Sequence, residues 1–330
     1  MPPSIRQGLV LTAGLGTRLR PLTLVRAKAA VPVAGVPLIR HLVARMVKSG
    51  ITELVLNLHH LPASITAVVG DGSDLGAQVR YSWEQPAVLG SAGGPRLAAS
   101  LLPPEPFFIV NGDTLTDLDL SSLARAHAAA EPLVTMALVP NAEPDRYGGV
   151  RLDEGGRVTQ FVARGDAARG SFHFIGVQIA SPDAFADVPT GTGARSVGGV
   201  YDQLVVRRPG SIRGFVSEAS FWDIGTVADY WRTSVAFAGD AAMLGCGHAV
   251  HVAPDAMVSR SILWDGVQVG AAARLDECIV TDGVHVPPGA RYRRAILRAE
   301  RDRVVATSFD PSETDAAIGV LRPQGARRGD

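Results

Sequence analysis

The chain has 330 residues, 46% of them hydrophobic and 19% charged, with 32 basic side chains against 32 acidic ones and two cysteines. That length exceeds what one core usually organises, so a large domain plus a smaller one is the first expectation, and the apolar fraction supplies ample core material. Zero formal net charge argues against a nucleic-acid or anionic-membrane surface; two cysteines argue against a disulfide framework, and the lack of a leader-like start or of any run near about 18 apolar residues points to no membrane span and a cytoplasmic protein.

Residues 8–13 predict a strand that runs into the loop Gly14-Leu15-Gly16-Thr17-Arg18. A glycine-broken loop of this kind exposes backbone N–H groups and a guanidinium, which suits a polyphosphate. Neither commoner glycine pattern is met. Leu19 holds the place of the third glycine of Gly-x-Gly-x-x-Gly, and no Gly-Lys-Ser/Thr follows. Apolar residues at 38, 39, 42, 43, 46 and 47, ahead of Gly50, predict an amphipathic helix over 38–49. Strands at 53–58, 78–82, 107–110 and 134–139 alternate with helices at 62–69, near 93–100 and at 121–130. The alternation predicts a Rossmann-like, mostly parallel α/β sheet covered by helices, with ligands at the carboxyl ends of its strands. Runs at 149–152, 158–162 and 172–179 predict hairpin elements that form a lid or substrate wall. A strand at 211–215 and a helix at 227–238 close a first domain spanning 1–240.

Beyond it, the sequence repeats with a period of 17. Val252, Val269 and Val286 align, as do Ala256, Ala273 and Ala290, and Asp265-Gly266 falls on Asp282-Gly283. Such a period predicts a stacked parallel β-solenoid of about three coils over 248–300. The polar tail, 301–330, is expected to be loosely ordered at its end.

Three further groups could carry chemistry. Asp113, in Val110-Asn111-Gly112-Asp113 at the end of an apolar strand, is placed to bind Mg²⁺ on triphosphate oxygens, while the same composition also makes plain turns. Asp223, in Phe221-Trp222-Asp223-Ile224-Gly225-Thr226, reads alone as a helix N-cap or turn residue. Cys246, His248, His251 and Cys278 can be written as a zinc set, but Cys278 shares its repeat position with Ser261 and Ala295, which marks coil packing instead.

Taken together, the loop at 14–18, Pro21, Lys28 and Pro32-Val33-x-Gly35-x-Pro37-Leu38-Ile39 resemble the sugar-1-phosphate nucleotidylyltransferases. These enzymes join a nucleoside triphosphate (NTP) to a sugar-1-phosphate and release pyrophosphate. The resemblance implies a nucleotidyltransferase domain followed by a short left-handed hexapeptide-repeat β-helix, and Mg²⁺ as cofactor. It assigns nucleotide binding to Ala13, Gly14, Gly16, Thr17, Arg18, Gln85, Gly90 and Ser91. Arg18 would hold the departing phosphates, Lys28 would sit near the α-phosphate and the attacking phosphate, and Asp113 and Asp223 would be metal ligands. Gly148, Arg164 and Gly176 would face the sugar phosphate. Here the chain departs from many relatives, because Ala163-Arg164 stands where they carry Glu-Lys. Leu89-Gly90-Ser91-Ala92-Gly93 and the short C-terminal repeat resemble mannose-1-phosphate guanylyltransferases, with thymidylyl or uridylyl transfer to glucose-1-phosphate as the alternative. The further alternatives are a non-catalytic regulatory relative and a bifunctional acyltransferase. A homo-oligomer is compatible with the solenoid.

Overall fold

The apolar runs of the first two thirds become the strands of one nine-stranded sheet. In the computed structural model, residues 5–239, 241–301, 303–310 and 320–321 are described. The chain divides into two units, residues 1–15 with 39–222 and residues 16–38 with 223–330. The sequence-based boundary at 240 is therefore not the one the contacts draw, because the stretch following the glycine loop packs with the C-terminal third.

The strands in chain order are β1 (Gln7–Leu11), β2 (Pro32–Val33), β3 (Val36–Pro37), β4 (Glu53–Leu58), β5 (Gln78–Trp83), β6 (Phe107–Asn111) and β7 (Thr114–Thr116). They continue as β8 (Val134–Pro140), β9 (Gly149–Leu152), β10 (Val158–Val162), β11 (Phe172–Ala180), β12 (Ile212–Val216) and β13 (Phe221–Asp223). The α-helices are α1 (Leu38–Lys48), α2 (Pro62–Val69), α3 (Gly90–Ala98), α4 (Leu120–Ala130), α5 (Tyr201–Arg207) and α6 (Val227–Ala238).

In the first unit the sheet runs β10-β9-β11-β6-β1-β4-β5, with β8 joining β11 to β12. β1 pairs in parallel with β4 and β6, and β4 with β5. Buried on both faces, such strands read as continuous apolar runs: Leu9, Val10, Val55, Phe107 and Ile109 are all at most 1% exposed. The expected lid is different. β9 and β10 do form a hairpin, but it is the edge of the main sheet, and β11 runs through the sheet antiparallel to both β6 and β8. The sheet is accordingly mixed, since the chain passes from β8 to its antiparallel neighbour β11 through β9 and β10 without an α-helical crossover.

Parallel pairing puts the carboxyl ends of β1, β4, β5 and β6 along one edge. Thr12–Gly14, Asn57, Glu84 and Asn111–Asp113 lie there. The antiparallel β11 brings its first half to the same edge, because Val177 pairs with Val110.

In the second unit, strands repeat in three parallel sheets with a register step of 17: Ile262 pairs with Ile279 and Ile279 with Ile296, Val252 with Val269 and Val269 with Val286, Val258 with Leu275 and Leu275 with Tyr292. This is the predicted β-helix, and it starts earlier than 248, with Gly245–Cys246 paired to Ile262 and Leu263. Cys278 is buried in its core and its N–H donates to Ser261 Oγ at 3.0 Å, one coil away. Residues assigned to the tail also form structure: Arg303–Ser308 returns antiparallel along Ala295–Glu300. The end of the tail, beyond 321, lies outside the described residues. β2 and β3 form a tight hairpin in this unit, turning at Ala34 (φ 50°) and Gly35 (φ 79°). A Cβ on Gly35 would stand 2.4 Å from the Cys246 carbonyl oxygen, so the turn needs glycine for contact as well as conformation.

Candidate active site

Along the carboxyl edge of the first unit, a buried polar network ties three loops together. The Asn57 side-chain carbonyl accepts from Thr12 N at 2.6 Å and from Ala13 N at 3.3 Å, and Thr12 Oγ1 donates to the Asn57 carbonyl. The Asn57 amide donates to Glu84 Oε1 at 2.7 Å, and Glu84 Oε2 accepts from Leu89 N at 2.6 Å. Glu84 is fully buried, so each of these bonds compensates a carboxylate removed from water. The network sets the exit of β1, where Ala13 lies, and the start of α3, where Gly90 and Ser91 lie. Neither Asn57 nor Glu84 was assigned a role from sequence. The signal for Asn57 was an amide in the otherwise apolar strand Glu53–Leu58, whereas Glu84 follows a polar strand and had no such signal.

Gly14 is exposed, and a Cβ there would meet nothing within 4 Å among the described residues. Neither a steric contact among the described residues nor a positive φ requires glycine there. Gly90 (φ 76°) begins α3 three residues earlier than predicted, and a Cβ on it would come within 2.8 Å of the Ala194 carbonyl. Its glycine is thus explained by a protein contact. Ser91 Oγ accepts from both Ser196 N and Ser196 Oγ at 2.9 Å. Gln85 is exposed beside them.

Asp113 follows Gly112 in the turn between β6 and β7 and is half-buried. Gly176 sits where β11 shifts register against β8, with φ 76°, and a Cβ on it would lie 2.7 Å from Asn111 Nδ2. The Asn111 side chain and the positive φ together require glycine at 176. Gly148 is exposed, and a Cβ there would be 3.0 Å from the Val162 carbonyl and 3.9 Å from Arg164 N. The structure therefore brings Gly148 to the Arg164 backbone. An aromatic group flanks this place. Tyr147 and His173 have ring centroids 4.1 Å apart, His173 and Phe221 5.0 Å, and the Arg146 guanidinium lies 4.8 Å over Tyr147. Burial pushes the His173 pKa down to about 4, Arg146 pushes the same way, and the Gly148 backbone works against them. His173 is consequently a neutral ring at pH 7. Sequence reasoning missed this aromatic group, because its members lie on separate elements.

The second unit holds Gly16, Thr17, Arg18, Lys28 and Asp223. Gly16 has φ 59°, and a Cβ there would be 2.7 Å from Thr23 Cγ2 and 3.3 Å from Lys28 Cβ. Thr23 Oγ1 donates to the Gly16 carbonyl at 2.8 Å, closing the loop on itself. Thr17 and Arg18 are exposed in a short 3-10 turn, and Lys28 opens another. Gly225 has Arg18 and Asp223 for neighbours, since a Cβ on it would be 3.4 Å from both Arg18 Nη2 and Asp223 Oδ2. The N-cap reading of Asp223 fails. Thr226 caps α6 in a reciprocal box with Asp229, which leaves Asp223 in β13 ahead of the cap.

The donor chemistry fits a hard divalent cation. Asp113 and Asp223 each offer carboxylate oxygens and are only half-buried. Among the described residues no helix is long and apolar enough to cross a membrane.

The chain matches two family models and is similar to known proteins. The nucleotidyl transferase family matches residues 7–238, and the GlmU-like C-terminal hexapeptide family matches 242–300. A mannose-1-phosphate guanylyltransferase of Mycobacterium tuberculosis is 33% identical over 87% of this chain and 82% of its own. An N-acetylmuramate alpha-1-phosphate uridylyltransferase of Neisseria meningitidis is 32% identical over 67% of this chain and 94% of its own. The fold is that of HddC from Yersinia pseudotuberculosis, with a TM-score of 0.61, 23% identity, and coverage of 71% of this chain and all of that one.

Proposed function

This chain belongs to the nucleotidyl transferase family as a sugar-1-phosphate nucleotidyltransferase, and we propose that its own reaction joins GTP and mannose-1-phosphate to give GDP-mannose and pyrophosphate. One observation carries the choice: the similarity to the Mycobacterium tuberculosis mannose-1-phosphate guanylyltransferase extends over 87% of the chain, enough to reach into the solenoid.

The chemistry is in-line attack of a sugar-1-phosphate oxygen on the α-phosphorus of the NTP, with pyrophosphate leaving. Substrates supply both nucleophile and electrophile, so the protein's task is positioning and charge neutralisation. Ala13, Gly14, Gly16 and Thr17 present backbone to the triphosphate. Arg18 holds the β- and γ-phosphates and stabilises the charge that gathers on them. Lys28 offsets the repulsion between the α-phosphate and the incoming phosphate. Gln85, Gly90 and Ser91 border the base, in a loop whose start is held by Glu84. Arg164 receives the sugar phosphate as a planar fork, with Gly148 beside it. Mg²⁺, held by Asp113 and Asp223 together with phosphate oxygens, would supply further neutralisation of the triphosphate.

Uridylyl or thymidylyl transfer is the second reading. It is favoured by the similarity to the Neisseria meningitidis uridylyltransferase over 94% of that protein. Pyrophosphate release, measured for each common NTP against a panel of sugar-1-phosphates, decides between them. GTP with mannose-1-phosphate should give the highest kcat/KM, and a higher value for UTP or dTTP with another sugar overturns the assignment.

A further inference from the structure

Arg26 is 7% exposed, and it lies in the segment that carries Arg18 and Lys28. Its Nη2 donates to Asp265 Oδ2 at 2.5 Å and to Asp282 Oδ1 at 2.7 Å, and its Nε donates to Asp282 Oδ2 at 2.7 Å. The remaining Nη1 donates to the Ala30 carbonyl at 3.4 Å. The guanidinium also lies 5.4 Å from the centre of the Trp264 ring.

Asp265 and Asp282 are the aspartates of two successive Asp-Gly turns of the 17-residue repeat. Each is fixed by its neighbouring coil, since Asp265 Oδ1 accepts from His248 N at 2.7 Å and Asp282 Oδ1 from Asp265 N at 3.2 Å. The repeat would place a third carboxylate at 299, where Ala299 stands, so the ladder ends after the two that grip Arg26. A second anchor holds the same segment farther along. Trp264 Nε1 donates to Tyr230 Oη at 3.0 Å, and Tyr230 Oη donates to the Pro32 carbonyl at 2.7 Å.

The guanidinium is buried while both carboxylates are about one-third exposed, and such partly desolvated ion pairs add little net stability, so their use here is geometric. Here the geometry bears on Lys28. The bond from Arg26 to the Ala30 carbonyl spans the short 3-10 turn Lys28–Ala30, whose first residue is Lys28. We propose that the β-helix, through Asp265 and Asp282, holds Arg26 as a positioning residue that sets the backbone from which Lys28 reaches the reacting phosphates. The solenoid thereby takes part in the transfer reaction of its own chain. This inference rests on the role of Lys28 given under the proposed function.

Four full-length proteins test it by pyrophosphate release: wild type, Arg26→Lys, Lys28→Ala and the double variant. A lysine keeps the charge but has three donors on one nitrogen, and so cannot make all four bonds of Arg26. Arg26→Lys should lower kcat about tenfold or more, as small misplacements of a charge-neutralising group do. In the Lys28→Ala background the same change should alter kcat by less than about twofold, because two residues acting through one step are non-additive. Equal fold losses in both backgrounds, or full activity of Arg26→Lys, overturn the inference while leaving the proposed function standing. Full activity of Lys28→Ala overturns the inference and the role given to Lys28, while the GTP and mannose-1-phosphate reaction stands. If Arg26→Lys does not fold, as judged by its circular-dichroism melt, Asp282→Asn is carried through the same cycle with the same criteria.

Discussion

The Asn57 side chain donates to Glu84 Oε1 at 2.7 Å, from the end of one parallel strand to the residue after the next. Because Asn57 also accepts from Thr12 and Ala13, and Glu84 also accepts from Leu89, one pair of side chains sets both the loop after β1 and the start of α3. Replacing Glu84 by glutamine removes one acceptor, leaving a buried N–H unpaired at a cost of about 1–3 kcal/mol. The KM for the NTP should rise about tenfold, with a lower thermal midpoint and a smaller change in the KM for sugar phosphate. Steady-state kinetics with each substrate varied in turn check this.

Gly176→Ala should destabilise by about 1–3 kcal/mol. The new methyl would lie 2.7 Å from Asn111 Nδ2, on a backbone held at φ 76°. Gly14→Ala has no such conflict among the described residues, so it should leave the thermal midpoint within about 1 °C and weaken NTP binding instead. The contrast between melting curves and NTP titrations separates a glycine needed by the fold from one needed by a ligand.

Much of this was legible because parallel strands are long apolar runs. β4 and the β9–β10 hairpin fall at the residues their patterns predict, and the solenoid register follows the 17-residue step read from Val252, Val269 and Val286. Other features depend on partners distant in sequence. Arg26 meets Asp265 across 239 residues, and Tyr147, His173 and Phe221 come from three elements, so no local pattern announces them. The 303–308 strand, with Val304 and Val305 in it, takes its pairing antiparallel from residues 295–300 and lies outside the 17-residue repeat that announced the solenoid. Asp223 was ambiguous until Thr226 took the helix cap.

Stability should fall as pH drops below neutrality. Burial lowers the pKa of His127, whose Nδ1 lies 2.8 Å from Thr135 Oγ1, to about 4, and burial with Arg146 does the same for His173. Both are neutral in the folded chain while the unfolded imidazoles bind protons from about pH 6.5 downward. Their contribution is full above about pH 6.5 and is lost progressively toward about pH 4, on the order of 1 kcal/mol per pH unit per imidazole. Urea unfolding at pH 7 and pH 5 measures it, and His127→Gln should flatten the difference. An unchanged pH dependence in that variant contradicts the assignment of His127.

Chelation of Mg²⁺ should abolish pyrophosphate release. Asp113→Asn and Asp223→Asn should each lower kcat about 100-fold or more and raise the Mg²⁺ concentration needed for half-maximal rate. If either carboxylate only shapes a turn, the Mg²⁺ titration of its variant will overlay that of the wild type.

The central claim is that Arg18, in the glycine loop, neutralises the departing pyrophosphate of a two-substrate transfer. Its most direct test is pyrophosphate release by wild type and Arg18→Ala with GTP and mannose-1-phosphate. The wild type should release one pyrophosphate per nucleotide sugar formed, only when both substrates are present, and Arg18→Ala should be slower by about 100-fold or more in kcat, as for loss of one preorganised donor. Near-normal turnover by Arg18→Ala contradicts the account.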